Sequence, residues 1–196
     1  MNIKNIIFDF GNVLVDFNID YMLGHYCHDK NDIQLLKKTA FSDWELLDSG
    51  QITYEDYIDK TAATLPEHLV PVFHAFTESW YQHLTPITGI WNLIHELKKK
   101  GYGLYILSNA STCFADHSSF FEITEEFDGI VFSAPIKMAK PDPEIYHYLF
   151  DTFHLDPTEC FFIDDRQDNI ETGRSLGMDG LVFTPDKIPV LIQKFL

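Results

Sequence analysis

The chain has 196 residues, 45% of them hydrophobic, and 14 Lys and Arg against 30 Asp and Glu give a formal net charge of −16. That is enough apolar material for one good core and a small second unit. The acidity argues against a nucleic-acid binder, which carries a basic stripe, and against docking on an anionic membrane surface.

An anionic substrate stays open, because salt screens the remote field beyond roughly 10 Å. Its site must then carry its own positive charge. Cys27, Cys113 and Cys160 are odd in number and far apart, with no CxxC pair. They read as small buried residues of a reducing compartment rather than a disulfide framework or zinc site. No apolar leader precedes Ile6-Ile7-Phe8-Asp9, and no apolar run is long enough for a bilayer, so the expected setting is the cytoplasm. No heptad run or interface stripe marks an assembly, and a monomer is expected.

In chain order, the first element is the run Ile3-Lys4-Asn5-Ile6-Ile7-Phe8, which ends at Asp9. From about Asp16 to about Thr85 only helical patterning follows, over residues 19–27, 32–41, 43–47, 54–65 and 68–83. Breaks fall at Asp29-Lys30, Ser49-Gly50 and Pro66. Ile90, Leu93, Ile94 and Leu97 then occupy i, i+3, i+4 and i+7, one helix face, closed by Lys98-Lys99-Lys100-Gly101. The runs Leu104-Tyr105-Ile106-Leu107 and Ile130-Val131-Phe132 end at Ser108-Asn109 and Ser133. A helix is predicted over Pro143–Phe153, then a strand at Cys160-Phe161-Phe162-Ile163 ending at Asp164-Asp165. A helix over 169–176 stops at Gly177, and Leu181-Val182-Phe183 is the last strand. Short, uniformly apolar strands alternating with helices predict a doubly wound, Rossmann-like parallel sheet of the α/β class. The helical interval after the first strand reads as a cap: residues 1–15 and 86–196 form the core, and 16–85 the cap subdomain.

In such sheets ligands sit outside the carboxyl ends of the strands, where strand order reverses. The residues there are Asp9, Ser108-Asn109 and Asp164-Asp165, with Lys140 following the third strand. Each alone has an ordinary reading: an Asx-turn for Asp9, a helix N-cap for Ser108, a solvated loop cation for Lys140, a cap for the Asp pair. The ordered set carries the argument. Phe8-Asp9-Phe10-Gly11-Asn12-Val13-Leu14, Leu107-Ser108-Asn109, Lys140-Pro141-Asp142-Pro143 and Phe162-Ile163-Asp164-Asp165-Arg166-Gln167-Asp168-Asn169-Ile170 together resemble the haloacid dehalogenase superfamily of phosphohydrolases over essentially the whole chain. Gly11-Asn12 and Leu47-Asp48-Ser49-Gly50-Gln51-Ile52-Thr53 look like the branch that contains a bacterial glucose-1-phosphate phosphatase.

The resemblance implies a phosphatase of small phosphorylated metabolites, sugar phosphates foremost, in which Asp9 attacks phosphorus to form an aspartyl-phosphate. It implies Ser108 and Asn109 as phosphate-binding residues and Lys140 as the cation that neutralises the transferring group and orients Asp9. It also implies Mg2+, held by Asp9, the Gly11 backbone carbonyl and Asp165, with Asp164 as a ligand or as a partner orienting one. One departure stands out. The family's second aspartate, two residues after the nucleophile, protonates the leaving alcohol and then activates water, but here that position is Gly11. Either the substrate has a good leaving group, such as an anomeric sugar hydroxyl, or Asp16 substitutes. The rival functions are a binding protein without turnover, which Gly11 favours, and a metal-independent dehalogenase, which Asp164-Asp165 disfavours. Arg166 reads as a partner of the acidic pair. His25, His28, His83 and His117 read mainly as surface or core residues, and Trp44, Trp80 and Trp91 as packing.

Overall fold

Ile6, Ile7 and Phe8 are all fully buried, which a strand permits only where both of its faces are covered. They belong to β1 (Asn5–Phe8), the central strand of a computed structural model that describes residues 2–196. After β1 come the two-residue β2 (Val15–Asp16) and the helices α1 (Ile19–Gly24), α2 (Lys30–Ala40), α3 (Trp44–Asp48), α4 (Tyr54–Ala62) and α5 (Val70–Ser79). The chain returns through β3 (Thr85–Pro86) to α6 (Thr88–Lys99), β4 (Gly103–Ser108), α7 (Thr112–His117) and β5 (Gly129–Phe132). It finishes with α8 (Ser133–Ile136), α9 (Pro143–Phe153), β6 (Cys160–Asp164), α10 (Gln167–Ser175), β7 (Asp179–Val182) and α11 (Ile188–Phe195).

The main sheet is five-stranded and parallel, in the order β5-β4-β1-β6-β7. The chain winds outward from β1 through β4 to β5, then crosses to β6 on the other side, so the order reverses beside β1. Phe8 lies opposite Ile106 on one side and Ile163 on the other. Asp9 and Asp164, one residue further along, therefore finish their strands at the same level. Side chains alternate across the sheet: Ile6, Phe8 and Ile106 join a cluster with the apolar stripes of α6 and α11, while Ile7, Leu107 and Phe162 pack on α9 and α10. The stripe Ile90, Leu93, Ile94 and Leu97 is buried as its spacing predicts, and Gly101 closes that helix at φ +85°. The first cluster continues without a break into the helical insert, taking in Met22, Leu36, Tyr57, Phe73 and Phe76.

The expected α/β class is the class observed. Differences are local. β2 and β3 pair antiparallel, Val15 with Pro86 and Asp16 with Thr85, a ribbon too short to leave any period in the sequence. The first strand begins at Asn5, and the last runs from Asp179 to Val182, leaving Phe183 to donate its N–H to the Asp164 carbonyl at 2.8 Å. Helices α8 and α11 were not expected, and α7 was expected only under the reading of Ser108 as its cap. The N-cap of α7 is Ser111, which accepts from the Phe114 N–H, and Ser108 is thereby free of the capping role.

One turn fixes the insert to the sheet. After α3 the chain reverses at Gly50 with φ +70°, where a Cβ would lie 2.5 Å from the Ala134 carbonyl oxygen. Ser133 Oγ donates to the Asp48 carbonyl and accepts from the Ala110 N–H at 2.9 Å. Gly50→Ala should therefore lose about 3 kcal/mol in urea denaturation, combining left-handed strain with a backbone clash. Gly101→Ala, where a Cβ meets nothing within 4 Å, should lose only the backbone part, about 1 kcal/mol.

Candidate active site

Three strand ends and one loop converge where the strand order reverses. Asp9 follows β1 and Ser108 ends β4; Asp164 ends β6, and Asp165 follows it. Lys140 sits in the segment between α8 and α9, buried together with Asp9, Ser108 and Asp164. Its Nζ lies 2.9 Å from Asp9 Oδ1 and 2.7 Å from Asp164 Oδ2, so one ammonium bridges two carboxylates. Asn109 holds the Lys140 backbone in both directions, its Nδ2 donating to the Lys140 carbonyl and its Oδ1 accepting from the Lys140 N–H, each at 2.8 Å. This reciprocal pair locks the segment to the end of β4.

Asp164 has no free valence. Oδ1 accepts from the Arg166 N–H at 2.8 Å and Asn169 Nδ2 at 2.9 Å, and Oδ2 from Lys140 and from Asn169 Nδ2 at 3.0 Å. Asp165 is less committed: Asn12 Nδ2 donates to its Oδ2 at 3.0 Å. Asn12, at φ +57°, also accepts from the Phe17 N–H through Oδ1. Asp9 accepts from the Phe10 N–H at 2.7 Å. Carboxylate oxygens of Asp9, Asp164 and Asp165 lie within 4.8 Å of one another. Three carboxylates against one ammonium leave a formal −2, and an all-oxygen donor set of that charge suits a hard divalent cation such as Mg2+.

The electrostatics follow from burial. Desolvation pushes Asp9 up to about 6, with Lys140 pulling it down and Asp164 pushing it further up. Burial works against the Lys140 ammonium, but Asp9 and Asp164 outweigh it and hold its pKa above the ordinary value. Burial also raises Asp165, with the Asn12 hydrogen bond opposing.

These residues open into a cavity of about 540 Å3. Its lining includes Asp9, Gly11, Ser108, Asn109, Lys140 and Asp165 from the strand ends and their loops, and Trp44, Glu45, Leu46, Asp48, Gln51 and Trp80 from the insert. The structure thus brings together all seven residues singled out in the sequence. Asp16 is not among them: it is exposed in β2 and does not line the cavity, although Val15 and Phe17 on either side do. No histidine lines the cavity among the described residues, and His25 and His83 stack on each other at 3.9 Å instead. Arg166 reaches the rim; its guanidinium pairs with Asp168 at 2.8 Å, and it meets the acidic pair only through its backbone N–H, which donates to Asp164. Trp44 and Trp80 do line the cavity, whereas Trp91 donates to the Leu14 carbonyl at 2.8 Å. Sequence reasoning gave no role to Asn12, Asn169 or Asp48. Asn169 stands five residues after Asp164, where the first turn of a helix folds back on its strand end, and that spacing was a usable signal.

Residues 6–183 match the haloacid dehalogenase-like hydrolase family, and the chain belongs to it. It is a hydrolase of that family. Among its relatives is the D-ribitol-5-phosphate phosphatase of Bacteroides thetaiotaomicron, 26% identical, the match covering 94% of this chain and 92% of that protein. Another is a sesquiterpene phosphatase of Aspergillus oryzae, 28% identical over 92% of this chain and 90% of that protein. The fold superposes on a haloacid dehalogenase family enzyme of Bacteroides thetaiotaomicron in complex with magnesium and inorganic phosphate. That match has a TM-score of 0.72 and 24% identity, covering 93% of this chain and 95% of the other. Among the described residues no helix is long and apolar enough to cross a membrane.

Replacing the bridging ammonium tests the electrostatics. Lys140→Met leaves two buried carboxylates without their counter-charge and should cost about 3–5 kcal/mol at pH 8. Asp9 then rises above its present value, so the deficit is complete above that pKa and shrinks as the pH falls through it. Urea denaturation in EDTA at pH 8 and pH 5 measures the difference.

Proposed function

We propose that this chain is a magnesium-dependent phosphatase that hydrolyses small phosphomonoesters through an aspartyl-phosphate on Asp9. The observation that carries this reading is the Lys140 ammonium held between Asp9 and Asp164 at the carboxyl ends of β1 and β6. In the proposed reaction an Asp9 oxygen attacks phosphorus in line, and the ester bond breaks on the side away from the sheet. Ser108 binds a phosphoryl oxygen, and Lys140 neutralises charge on the transferring group while fixing the direction of Asp9. Asn109 spends its amide on the Lys140 backbone, so its contribution to phosphate binding falls to the main chain. Asp9, Asp165 and the Gly11 carbonyl would hold the metal, and Asp164, its oxygens fully engaged, orients Lys140 beside it. Magnesium, when bound, supplies the charge that offsets repulsion between a carboxylate and a phosphate dianion.

Residues 16–85 serve as the cap, walling the leaving-group side of the cavity. That wall sets Trp44 and Trp80 beside Glu45, Ser49 and Gln51, a pairing of stacking surface and hydrogen-bonding edge that fits a sugar phosphate. The relatives named for ribitol 5-phosphate and sesquiterpene substrates bracket this choice from the polar and apolar sides.

Steady release of phosphate from p-nitrophenyl phosphate with Mg2+ is expected, stopped by EDTA, restored by added metal, and abolished in Asp9→Asn. Phosphate release that survives EDTA would remove the metal from this reading. Halide release from a 2-haloacid in EDTA would revive the dehalogenase reading, and absence of any turnover the binding-protein reading. Independently of activity, saturating Mg2+ should raise the melting temperature of the wild type, as any ligand of the native state does. Asp165→Asn should lose that shift.

A further inference from the structure

Gly11 leaves the proposed reaction without a proton donor for the departing alcohol. Crowding does not impose this glycine: a Cβ there would meet nothing within 4 Å, and its φ is not in the left-handed region. The acid has simply moved or been dispensed with. Four carboxyl groups line the cavity: Asp9, Glu45, Asp48 and Asp165. Asp9 is bound to Lys140 and Asp165 to Asn12. Glu45 is exposed. Asp48 remains.

Resting on the phosphatase reading above, the geometry points to Asp48 as the general acid and base, supplied by the insert in place of residue 11. The placement suits the task. Asp9 and Asp48 line the same cavity, close enough for the Asp9 charge to act on the Asp48 carboxyl. They come from different parts of the chain, the end of β1 and the end of α3, and an in-line displacement expels its leaving group away from the nucleophile. Asp48 is also held in place more firmly than an insert residue need be. Its carbonyl accepts from Ser133 Oγ, the same hydroxyl that accepts from the Ala110 N–H, and Gly50 two residues on seats its backbone against Ala134. Position 48 is therefore registered to the ends of β4 and β5 rather than carried loosely on a mobile lid.

The surroundings favour a carboxyl that carries a proton. Among the described residues Asp48 forms no salt bridge. Burial raises its pKa well above the ordinary carboxylate range; the backbone N–H of Ser111 opposes, and the charges of Asp9 and Glu45 add to burial. Of the other charged groups lining the cavity, Lys140 is engaged by Asp9 and Asp164, and Arg166 by Asp168.

The steps balance. As an Asp9 oxygen bonds to phosphorus, the ester P–O electron pair passes to the leaving oxygen, which takes the Asp48 proton and departs as the alcohol. Asp48, now a carboxylate, removes a proton from the water that attacks the phospho-aspartate. The P–O bond to Asp9 breaks, and inorganic phosphate leaves with both carboxyl groups restored.

The test uses the whole enzyme with Mg2+ and a series of para-substituted phenyl phosphates running from p-nitrophenyl to unsubstituted phenyl. These esters differ little in size but widely in the basicity of the oxygen expelled. For Asp48→Asn, kcat/KM should fall only a few-fold on p-nitrophenyl phosphate, whose leaving group needs little protonation, and roughly 10²-fold on phenyl phosphate. The ratio of the two values is independent of how much of the variant is folded, so a loss of structure cannot imitate this result. A uniform loss across the series, loss of all turnover, or no loss overturns the assignment while the phosphatase reading stands on the wild type. A wild type that hydrolyses none of the esters overturns both.

Discussion

A single ammonium holds this site together. Lys140 lies buried between Asp9 and Asp164, and each carboxylate would be costly to desolvate without it. The fold is arranged around meeting that requirement. Parallel pairing in register brings Asp9 and Asp164 to one level on neighbouring strands. The Asn109 amide clamps the lysine's backbone, and the Asn169 amide with the Arg166 N–H satisfies the remaining lone pairs of Asp164. Asn169 is in turn fixed through its carbonyl, which accepts from Tyr146 on α9 at 2.9 Å. A buried ion pair stabilises little by itself; what it provides here is an Asp9 carboxylate held in one direction.

The sequence carried the scaffold more fully than the chemistry around it. The strands were legible because burial on both faces forces uniformly apolar runs, as in Cys160-Phe161-Phe162-Ile163, and α6 and α9 because their buried residues recur at helical spacing. The β2–β3 ribbon was invisible, since two residues per strand have no period. Helix α11 escaped notice because it is short, eight residues at Ile188–Phe195, and buries only Leu191 and Phe195, too few to establish a helical period. Among the site residues, those at strand ends could be read directly. Asn12 and Asp48 could not. Their places in the site come from contacts across 153 residues in the case of Asn12 and Asp165, and from a turn packed on Ala134 in the case of Asp48. Local pattern cannot encode such meetings. Asp16 illustrates the converse: adjacent in sequence to two cavity residues, it is turned outward by the alternation of an extended strand.

The same limit bears on the insert. Its helices were legible as helices, yet the hydrophobic cluster they share with Phe8 and Phe10 means that they are not a separately folded unit laid over a finished site. The part of the cavity lining that the insert supplies belongs to the same core as the strand that carries Asp9. Residues on that lining can then be placed as firmly as residues on strand ends, because packing, and not only backbone hydrogen bonding, fixes their distance from Asp9.

Charge completes the argument. A chain of net −16 offers a phosphate dianion no long-range attraction, and screening confines any repulsion to roughly the last 10 Å of its approach. Within that range the site itself is decisive. With Asp9, Asp164 and Asp165 ionised and only Lys140 to oppose them, it carries −2 and favours a divalent cation over an anion. The cation brings the cluster to neutrality, and only then does Lys140 act on an incoming phosphate without the full opposition of three carboxylates. In the proposed mechanism metal and phosphate therefore bind cooperatively, each raising the affinity of the other by the same factor. In that mechanism the excess of acid in the site makes phosphate binding conditional on the metal.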